Sequence, residues 1–304
     1  MRHNMKKTGL IGLGTISQYY INGLHESSLL NLVATCDLNE KAYSRALFSN
    51  IPFYKNYKEM IEKEKLDYII ISTPPSSHFE IAKYALENNI NVLIEKPATT
   101  SLEDLNYLIE LSKKNNLIFH IMYHWQNGTE VIKFNELFDK NKIQEIKTTV
   151  LDPYSIDEKN IDEKKYHLLG TWIDSGVNIL SMIKKWLPFK SLEILRYKVI
   201  KCKKTTLPIY INVDLKIDSI PINIYIDWTK HQNVKESFLI YDNEIIKIDH
   251  SNQTIITKEK DYPFNNMVRL EAHYYNFFKN YNETNNLEES ILIHKFLFEV
   301  NKVL

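Results

Sequence analysis

Cysteine is almost missing from this chain of 304 residues: only Cys36 and Cys202 are present. Two thiols so far apart exclude a disulfide framework or a thiolate zinc site, and both are expected as small buried residues in a reducing compartment. An excess of charge is missing too. Lys and Arg total 38 and Asp and Glu total 38, so no basic face is implied, and neither nucleic acid nor an anionic membrane is an expected partner. No apolar run approaches the roughly 20 residues that a membrane span needs. The start, MRHNMKKTGLIGLGTIS, sets basic residues before an apolar stretch, but glycines interrupt it and no small-residue cleavage site follows. Repeats and low-complexity tracts are absent as well, the surplus of Asn, Ile and Lys being spread evenly. These absences leave a cytoplasmic, soluble protein long enough for two domains with separate cores.

Glycine is scarce, with seven in the chain, yet three of them fall at positions 9, 12 and 14. In GLGTIS, residues 12–17, Gly12 allows a tight turn after a strand and Gly14 lets the backbone approach a pyrophosphate at a helix N-terminus. Ser17 stands where a third Gly or Ala is usual, small enough for helix and strand to pack. Alone, the pattern is equally a plain strand-to-helix turn. Its context decides: Asp37 ends the next strand about 23 residues on, where an acid grips the ribose hydroxyls. Leu38 follows with no adjacent Arg or Lys, which favours NAD over NADP, although NADP stays open.

Up to residue 122 short apolar runs (7–13, 30–37, 66–73, 90–96 and 117–123) alternate with helical patterns such as 101–116, which opens on a Ser cap with acids in its first turn. Strand then helix, repeated, predicts a parallel sheet covered on both faces. After residue 123 the pattern changes. Segments 129–140 and 171–187 read as helices, and in 209–218 Ile209, Ile211, Val213, Leu215 and Ile217 alternate with polar residues, as in 220–228. Period two predicts an antiparallel sheet with one wetter face. Further strands are expected at 191–202, 235–249 and 253–259, then helices at 264–283 and 287–303. The predicted fold is α/β: a Rossmann domain over 1–122 and an α+β domain over 123–304, built on a mostly antiparallel open-faced sheet, for substrate binding and oligomerisation.

The stretch NVLIEKPATTS, residues 91–101, leaves a buried strand on an acid, an amine and a proline. The proline holds Lys96 extended, which fixes the direction of its ammonium at the carboxyl end of a parallel strand, the edge on which such sheets bind ligands. STPPSSH (72–78) and YHW (123–125) reach the same edge. Further on, Asp174 and Asn178 stand four apart in a helical pattern, so an acid and an amide share a face and can grip a pair of hydroxyls. Read singly, these residues have plainer explanations. Lys96 is a surface lysine paired with Glu95, Asp174 is an N-cap, and His124 is a satisfied polar residue of the core. His120 and His124 lack a carboxylate partner, and no metal site is expected.

Taken in order, GLGTIS, CDLNEKA, STPPSSHFEIAKYAL, NVLIEKPATTS and GTWIDSGVNIL resemble the glucose-fructose oxidoreductase, inositol dehydrogenase and MocA family. The resemblance implies cofactor contacts at Gly12, Gly14, Thr15, Ile16, Asp37, Thr73, Pro74, His78, Glu95 and Lys96. It implies catalysis by Lys96 and Asp174, and substrate binding by Lys96, His124, Asp174 and Asn178. In the family's D-x-G-x-x-H or D-x-G-x-H pattern the His completes the site; here Asn178 takes its place, and an amide cannot titrate. Asn at this position, with MYHWQNGTEV, resembles the branch of aldose 1-dehydrogenases acting on galactose or arabinose. The resemblance therefore implies hydride transfer between NAD(P) and a sugar or polyol, an aldose giving a lactone, by a homodimer or homotetramer. Two alternatives stay open: a nonenzymatic sensor that binds dinucleotide and sugar, and a reductase of a C=N or C=C bond.

Overall fold

The alternation of apolar strand and amphipathic helix in the first part of the chain builds a six-stranded sheet. The computed structural model describes residues 5–45, 51–157 and 159–304; part of the basic start lies outside them. The sheet takes β1 (Lys6–Ile11), β2 (Leu30–Cys36), β3 (Phe53–Tyr54), β4 (Tyr68–Ile71), β5 (Asn91–Glu95) and β6 (Phe119–Met122) in the order β3-β2-β1-β4-β5-β6. Every pairing is parallel. Between the strands lie α1 (Ser17–Glu26), α2 (Glu40–Arg45), α3 (Tyr57–Glu64), α4 (His78–Glu87) and α5 (Leu102–Lys114). The strand interiors Ile69–Ile71 and Val92–Ile94 are fully buried, as a sheet covered on both faces requires. As expected, α5 starts on Ser101, whose side chain accepts from the Asp104 N–H at 3.1 Å. Strand order reverses between β1 and β4, which puts the ligand crevice outside the carboxyl ends of these two strands.

The later chain supplies α6 (Thr129–Leu137), β7 (Ile143–Leu151), a ribbon of β8 (Ser155–Asp157) and β9 (Asn160–Ile161), and α7 (Val177–Lys184). Then come β10 (Leu192–Lys201), β11 (Pro208–Ile217), β12 (Ile220–Asp227), β13 (Val234–Tyr241), β14 (Glu244–Asp249), β15 (Thr254–Ile256), β16 (Asp261–Pro263), α8 (Arg269–Asn280) and α9 (Leu287–Asn301). Eight strands form one sheet, β10-β11-β12-β7-β13-β14-β15-β16, antiparallel except where β12 meets β7. The five alternating apolar residues of β11 are wholly buried, and Tyr210, Asn212 and Asp214 between them are half-buried. The open-faced sheet is the one the period-two pattern predicts.

Three features differ from the sequence reading. β7, central to the second sheet, was not anticipated. The register slips where Ile240 and Tyr241 face Glu145 and Ile143, and this irregularity interrupts the alternation of IQEIKTTVL. α8 begins at Arg269 rather than 264, because the Phe264 N–H bonds the Gln253 carbonyl and the Asn266 N–H the Phe264 carbonyl, which keeps this stretch out of a helix. The two compact units also divide the chain differently: one takes the chain through Tyr123 together with Tyr274–Ile291, the other His124–His273 with Leu292–Leu304. The physical cause is the aromatic spacing of Tyr274, Phe277, Phe278 and Tyr281, which places one face of α8 in the core of the first unit with Tyr20 and Tyr68. Phe278 is seated on Gly23, where a Cβ would lie 2.4 Å from its ring.

Among the described residues no helix is long and apolar enough to cross a membrane. Cys36 and Cys202 are buried and unpaired with each other.

Candidate active site

In the first unit the turn after β1 is built as the glycine spacing implies. Gly12 has φ +96°, and a Cβ there would lie 2.8 Å from the backbone of Ser72 and Thr73 after β4. Its N–H donates to the Cys36 carbonyl at 2.8 Å, and its carbonyl accepts from the Ser72 hydroxyl at 2.8 Å, so the ends of β1, β2 and β4 are tied together. Gly14 is exposed, and a Cβ added to it would meet nothing within 4 Å. Its missing side chain leaves open space on the ligand side and is not demanded by packing. Thr15 is exposed and Ile16 half-buried; α1 starts with no side-chain cap and no acid in its first turn, so its first N–H groups suit an anion. Ser17 is buried and donates to the Gly14 carbonyl at 2.7 Å, closing the turn. The residues present therefore fit a dinucleotide pyrophosphate.

Asp37 already holds two backbone donors: Oδ2 accepts from the Leu13 N–H and Oδ1 from the Asn39 N–H, each at 2.7 Å. The carboxylate is thus aimed by the glycine turn itself, and each oxygen keeps a further lone pair for a ribose hydroxyl. Thr73 Oγ1 accepts from Ser77 at 2.8 Å, and Pro74 precedes the short turn Pro75–Ser77. His78 is fully buried. Its Nδ1 lies 2.9 Å from the Pro97 carbonyl and its Nε2 2.7 Å from the Thr73 carbonyl. The ring clamps two loops of the ligand edge together. Burial, opposed by these carbonyls, lowers its pKa below the ordinary 6.5.

Glu95 ends β5 pointing inward. Its Oε1 accepts from Tyr20 at 2.8 Å and Tyr274 at 2.5 Å, and its Oε2 from the Lys96 N–H at 3.1 Å. Burial raises its pKa against the pull of Lys96 and the two tyrosines. Glu95 is therefore a buried anchor for the backbone of Lys96. Lys96 itself is half-buried at the carboxyl end of β5, and its charge acts on both Glu95 and His78. The Lys96–Pro97 peptide is cis.

In the second unit Asp174 lies in a π-helical turn, Trp172–Gly176, that runs directly into α7. It is not an N-cap. Trp172 is buried and anchored by its Nε1 donating to the Leu297 carbonyl at 2.8 Å, and Gly176 gives its ring room, since a Cβ there would come within 2.8 Å of it. Extra-wide turns of this kind commonly mark functional sites. From Thr171 to Ile183 every residue is buried except Asp174, which is half-buried. Asn178 is 6% exposed; its Nδ2 donates to the Asp174 carbonyl at 3.2 Å while its Oδ1 has no hydrogen-bond partner in the chain. The acid and the amide thus meet through the Asp174 backbone, and an orphaned acceptor remains that a hydroxyl donor would satisfy.

The sequence reading missed a buried pair on which the charge of Asp174 acts. Lys235 and Asp152 form a buried pair at 2.8 Å, and Lys235 also bonds Asn233 Oδ1 at 2.5 Å. Burial lowers the Lys235 pKa and raises that of Asp152 against their mutual attraction, and Asp174 and Arg269 both act on this pair. Arg269, Asn233 and Gln253 line an open concavity rich in amides. Two signals were available: Lys235 and Ser237 occupy inward positions of an alternating strand, and Asp152 stands before a proline, as Lys96 does. His124 is 7% exposed, with Nδ1 at 3.1 Å from His273 Nδ1. Among the described residues no three His, Cys, Asp or Glu side chains are grouped to hold a metal ion.

Comparison with known proteins bears on the first unit most directly. Residues 6–123 match the model of an oxidoreductase family with an NAD-binding Rossmann fold, GFO_IDH_MocA. The chain is 24% identical over 127 residues to the rhizopine catabolism protein MocA of Rhizobium meliloti, a match covering 42% of this chain and 40% of that one. Such matches span less than half the length of the curated relatives. Solved structures extend the likeness in fold to both units. A dehydrogenase (MviM) from Clostridium difficile superposes with a TM-score of 0.80 at 19% identity, covering 98% of this chain and 99% of that one. For myo-inositol 2-dehydrogenase from Lactobacillus plantarum the TM-score is 0.76 at 17% identity, with 98% and 96% covered. With its EKP strand end and its glycine turn folded as described, the stretch 6–123 is the NAD-binding Rossmann domain of the GFO_IDH_MocA oxidoreductase family.

Proposed function

We propose that this protein is a dehydrogenase that moves a hydride between a nicotinamide dinucleotide and a hydroxyl-bearing carbon of a sugar or polyol, with oxidation of an aldose to its lactone as the leading case. The observation that carries the reading is Lys96, held half-buried at the carboxyl end of β5 by Glu95, one strand from the switch point of the sheet. Bound dinucleotide would supply the hydride acceptor. Gly12, Gly14, Thr15 and Ile16 would hold its pyrophosphate and Asp37 its adenosine ribose, with Thr73, Pro74, His78 and Glu95 shaping the edge. With Asp37 facing the ribose, NAD is favoured; NADP is the alternative.

Lys96 would accept the substrate hydroxyl proton as the C–H bond breaks and the new C=O bond forms. Asp174, the one residue of its segment that is not fully buried, would orient the reacting hydroxyl. Asn178 Oδ1 and His124 bind neighbouring hydroxyls. We place the protein in the cytoplasm as a homodimer or homotetramer; the exposed apolar side chains Leu195, Tyr197 and Ile200 on β10, Phe238 on β13 and Ile245 on β14 support self-association through the second sheet.

A specific observation favours a second reading, a sensor that binds dinucleotide and sugar without turnover: at Asn178 an amide occupies the position of the family's histidine. A panel of free aldoses, inositols and nucleotide sugars, followed by the absorbance of reduced nicotinamide with NAD and with NADP, separates the two. Turnover on a sugar or polyol supports the dehydrogenase. Intact dinucleotide binding with no turnover anywhere in the panel favours the sensor, and reduction of a C=N or C=C substrate alone would assign the third alternative.

A further inference from the structure

Two tyrosines that the reaction as described does not use converge on Glu95 in the core of the first unit. Tyr20 comes from α1, and Tyr274 from α8, 179 residues beyond Glu95. Both are wholly buried, their ring centroids 4.8 Å apart and edge to face. Glu95 Oε1 accepts from the two hydroxyls, at 2.8 Å and 2.5 Å, and Oε2 is left for the Lys96 N–H at 3.1 Å. The directions of these bonds are set by chemistry. Burial and the Glu95 charge hold both phenols well above their ordinary 10.0, so each stays protonated and donates. Packing does not need the hydroxyls, since Phe277 and Phe278 of α8 lie in the same core without them. A buried hydroxyl carries a desolvation cost that only its bond offsets.

What these bonds hold is the point where the sheet releases β5. The ladder with β4 ends on Ile94 opposite Ile71, and the ladder with β6 on Glu95 opposite Met122. Lys96 is the first residue beyond both. Its N–H is taken by a side chain in place of a neighbouring strand. On its other side the Pro97 carbonyl lies 2.9 Å from His78 Nδ1. Lys96 thus stands between two fixed points, and the first depends on the aim of one carboxylate. A carboxylate with fewer donors is free to turn. With both lone pairs of Oε1 engaged by phenols, Glu95 keeps Oε2 on Lys96.

We propose that Tyr20 and Tyr274 are positioning residues for the reacting lysine: they lock the Glu95 carboxylate, and the carboxylate holds the backbone of Lys96, so that its side chain leaves the ligand edge from a fixed place. No proton or electron passes through the two phenols. α8, which carries none of the dinucleotide motifs, is thereby part of the catalytic construction. The inference rests on the reading of Lys96 as the proton acceptor.

The first test does not need turnover. The Lys96 amide is followed by 1H–15N correlation in full-length protein labelled with 15N-lysine, where it is the signal lost in Lys96→Arg. Its bond to a carboxylate is expected to hold the proton downfield, and Tyr20→Phe and Tyr274→Phe should each move it upfield. An amide indifferent to both variants overturns the proposal. The expected movement in a protein inactive on the whole sugar panel would support the lock and sink the dehydrogenase reading instead. The second test is steady-state kinetics on the best substrate. Tyr274→Phe is expected to lower kcat by roughly tenfold to a hundredfold, the scale of a small misplacement of a reacting group, with KM and NAD affinity within about twofold of the parent. In a Glu95→Gln background the same replacement should cost less than about twofold more, because the phenol acts only through the carboxylate. Parent kcat in Tyr274→Phe, with a loss only in Tyr274→Leu, would mean that the ring only packs. Losses that multiply in the double variant would mean that the phenol acts by another route, and either result overturns the proposal.

Discussion

Replacing Gly12 and Gly14 separately by alanine divides folding from cofactor binding in one turn. At Gly12 the methyl would sit 2.8 Å from three backbone atoms of Ser72 and Thr73, and the residue has φ +96°. The left-handed conformation alone costs about 1–2 kcal/mol, and backbone cannot swing aside as a side chain does. Relieving the clash must part β1 from β4 and disturb the Ser72 hydroxyl bond to the Gly12 carbonyl at 2.8 Å, worth about 1 kcal/mol more. A loss of roughly 2–4 kcal/mol follows for Gly12→Ala, a drop of several degrees in Tm for a domain of this size. Gly14→Ala meets nothing within 4 Å, so its stability should lie within about 0.5 kcal/mol of the parent. The methyl would instead stand in the open space assigned to the pyrophosphate, and a tenfold or greater loss of NAD affinity is expected, about 1.4 kcal/mol or more. Thermal melting with titration of NAD by calorimetry reads both. Parent affinity in Gly14→Ala would remove the pyrophosphate from this turn, and parent stability in Gly12→Ala would refute the packing argument.

Asp37→Ala should weaken NAD more than NADP, and it should also loosen the glycine turn through loss of the Leu13 N–H bond at 2.7 Å; tighter NADP than NAD binding in the parent would reverse the ribose assignment. Acid should destabilise the fold. His78 and His273 both have pKa values below 6.5 in the folded chain, chiefly from burial, so the unfolded chain binds more protons below pH 6.5 and stability falls as pH drops through that value. Each contributes at most about 1.4 kcal/mol per pH unit. Tm measured from pH 8 to pH 5 should turn downward near 6.5, less steeply in His273→Asn; a flat profile would contradict the burial argument. Asn178→Ala should raise KM for the sugar with a smaller effect on kcat, because it removes the orphaned Oδ1 acceptor. Asn178→His should keep turnover and add a titration near the ordinary histidine value of roughly 6.5; loss of kcat without a change in KM would show that the amide acts in the reacting step.

The legible parts of this protein were those where one period or one residue type carries the signal. The parallel sheet followed from unbroken apolar strands, the second sheet from the alternation at Ile209 to Ile217, and the ligand edge from Gly12, Gly14 and the EKP strand end. What stayed hidden depends on contacts distant in sequence. β7 loses its period at the register slip opposite Ile240 and Tyr241. The aromatic spacing of Tyr274 to Tyr281 announces an apolar face, but nothing local says that this face belongs to the first unit, 150 residues after the chain has left it. Glu95 looked like a cofactor contact or a partner for the Lys96 ammonium. That it is also a buried anchor for the Lys96 backbone shows only in the fold, where Tyr20 and Tyr274 bring hydroxyls to it.

The central claim is that Lys96 takes the substrate proton. Lys96→Met keeps the length and the apolar stem of the side chain and removes the amine. On the best substrate of the panel, reduced-nicotinamide absorbance should show kcat falling by several orders of magnitude, with NAD affinity measured by calorimetry close to the parent value. Equal kcat in parent and variant would take Lys96 out of the mechanism and, with it, the reading of this edge as a dehydrogenase site.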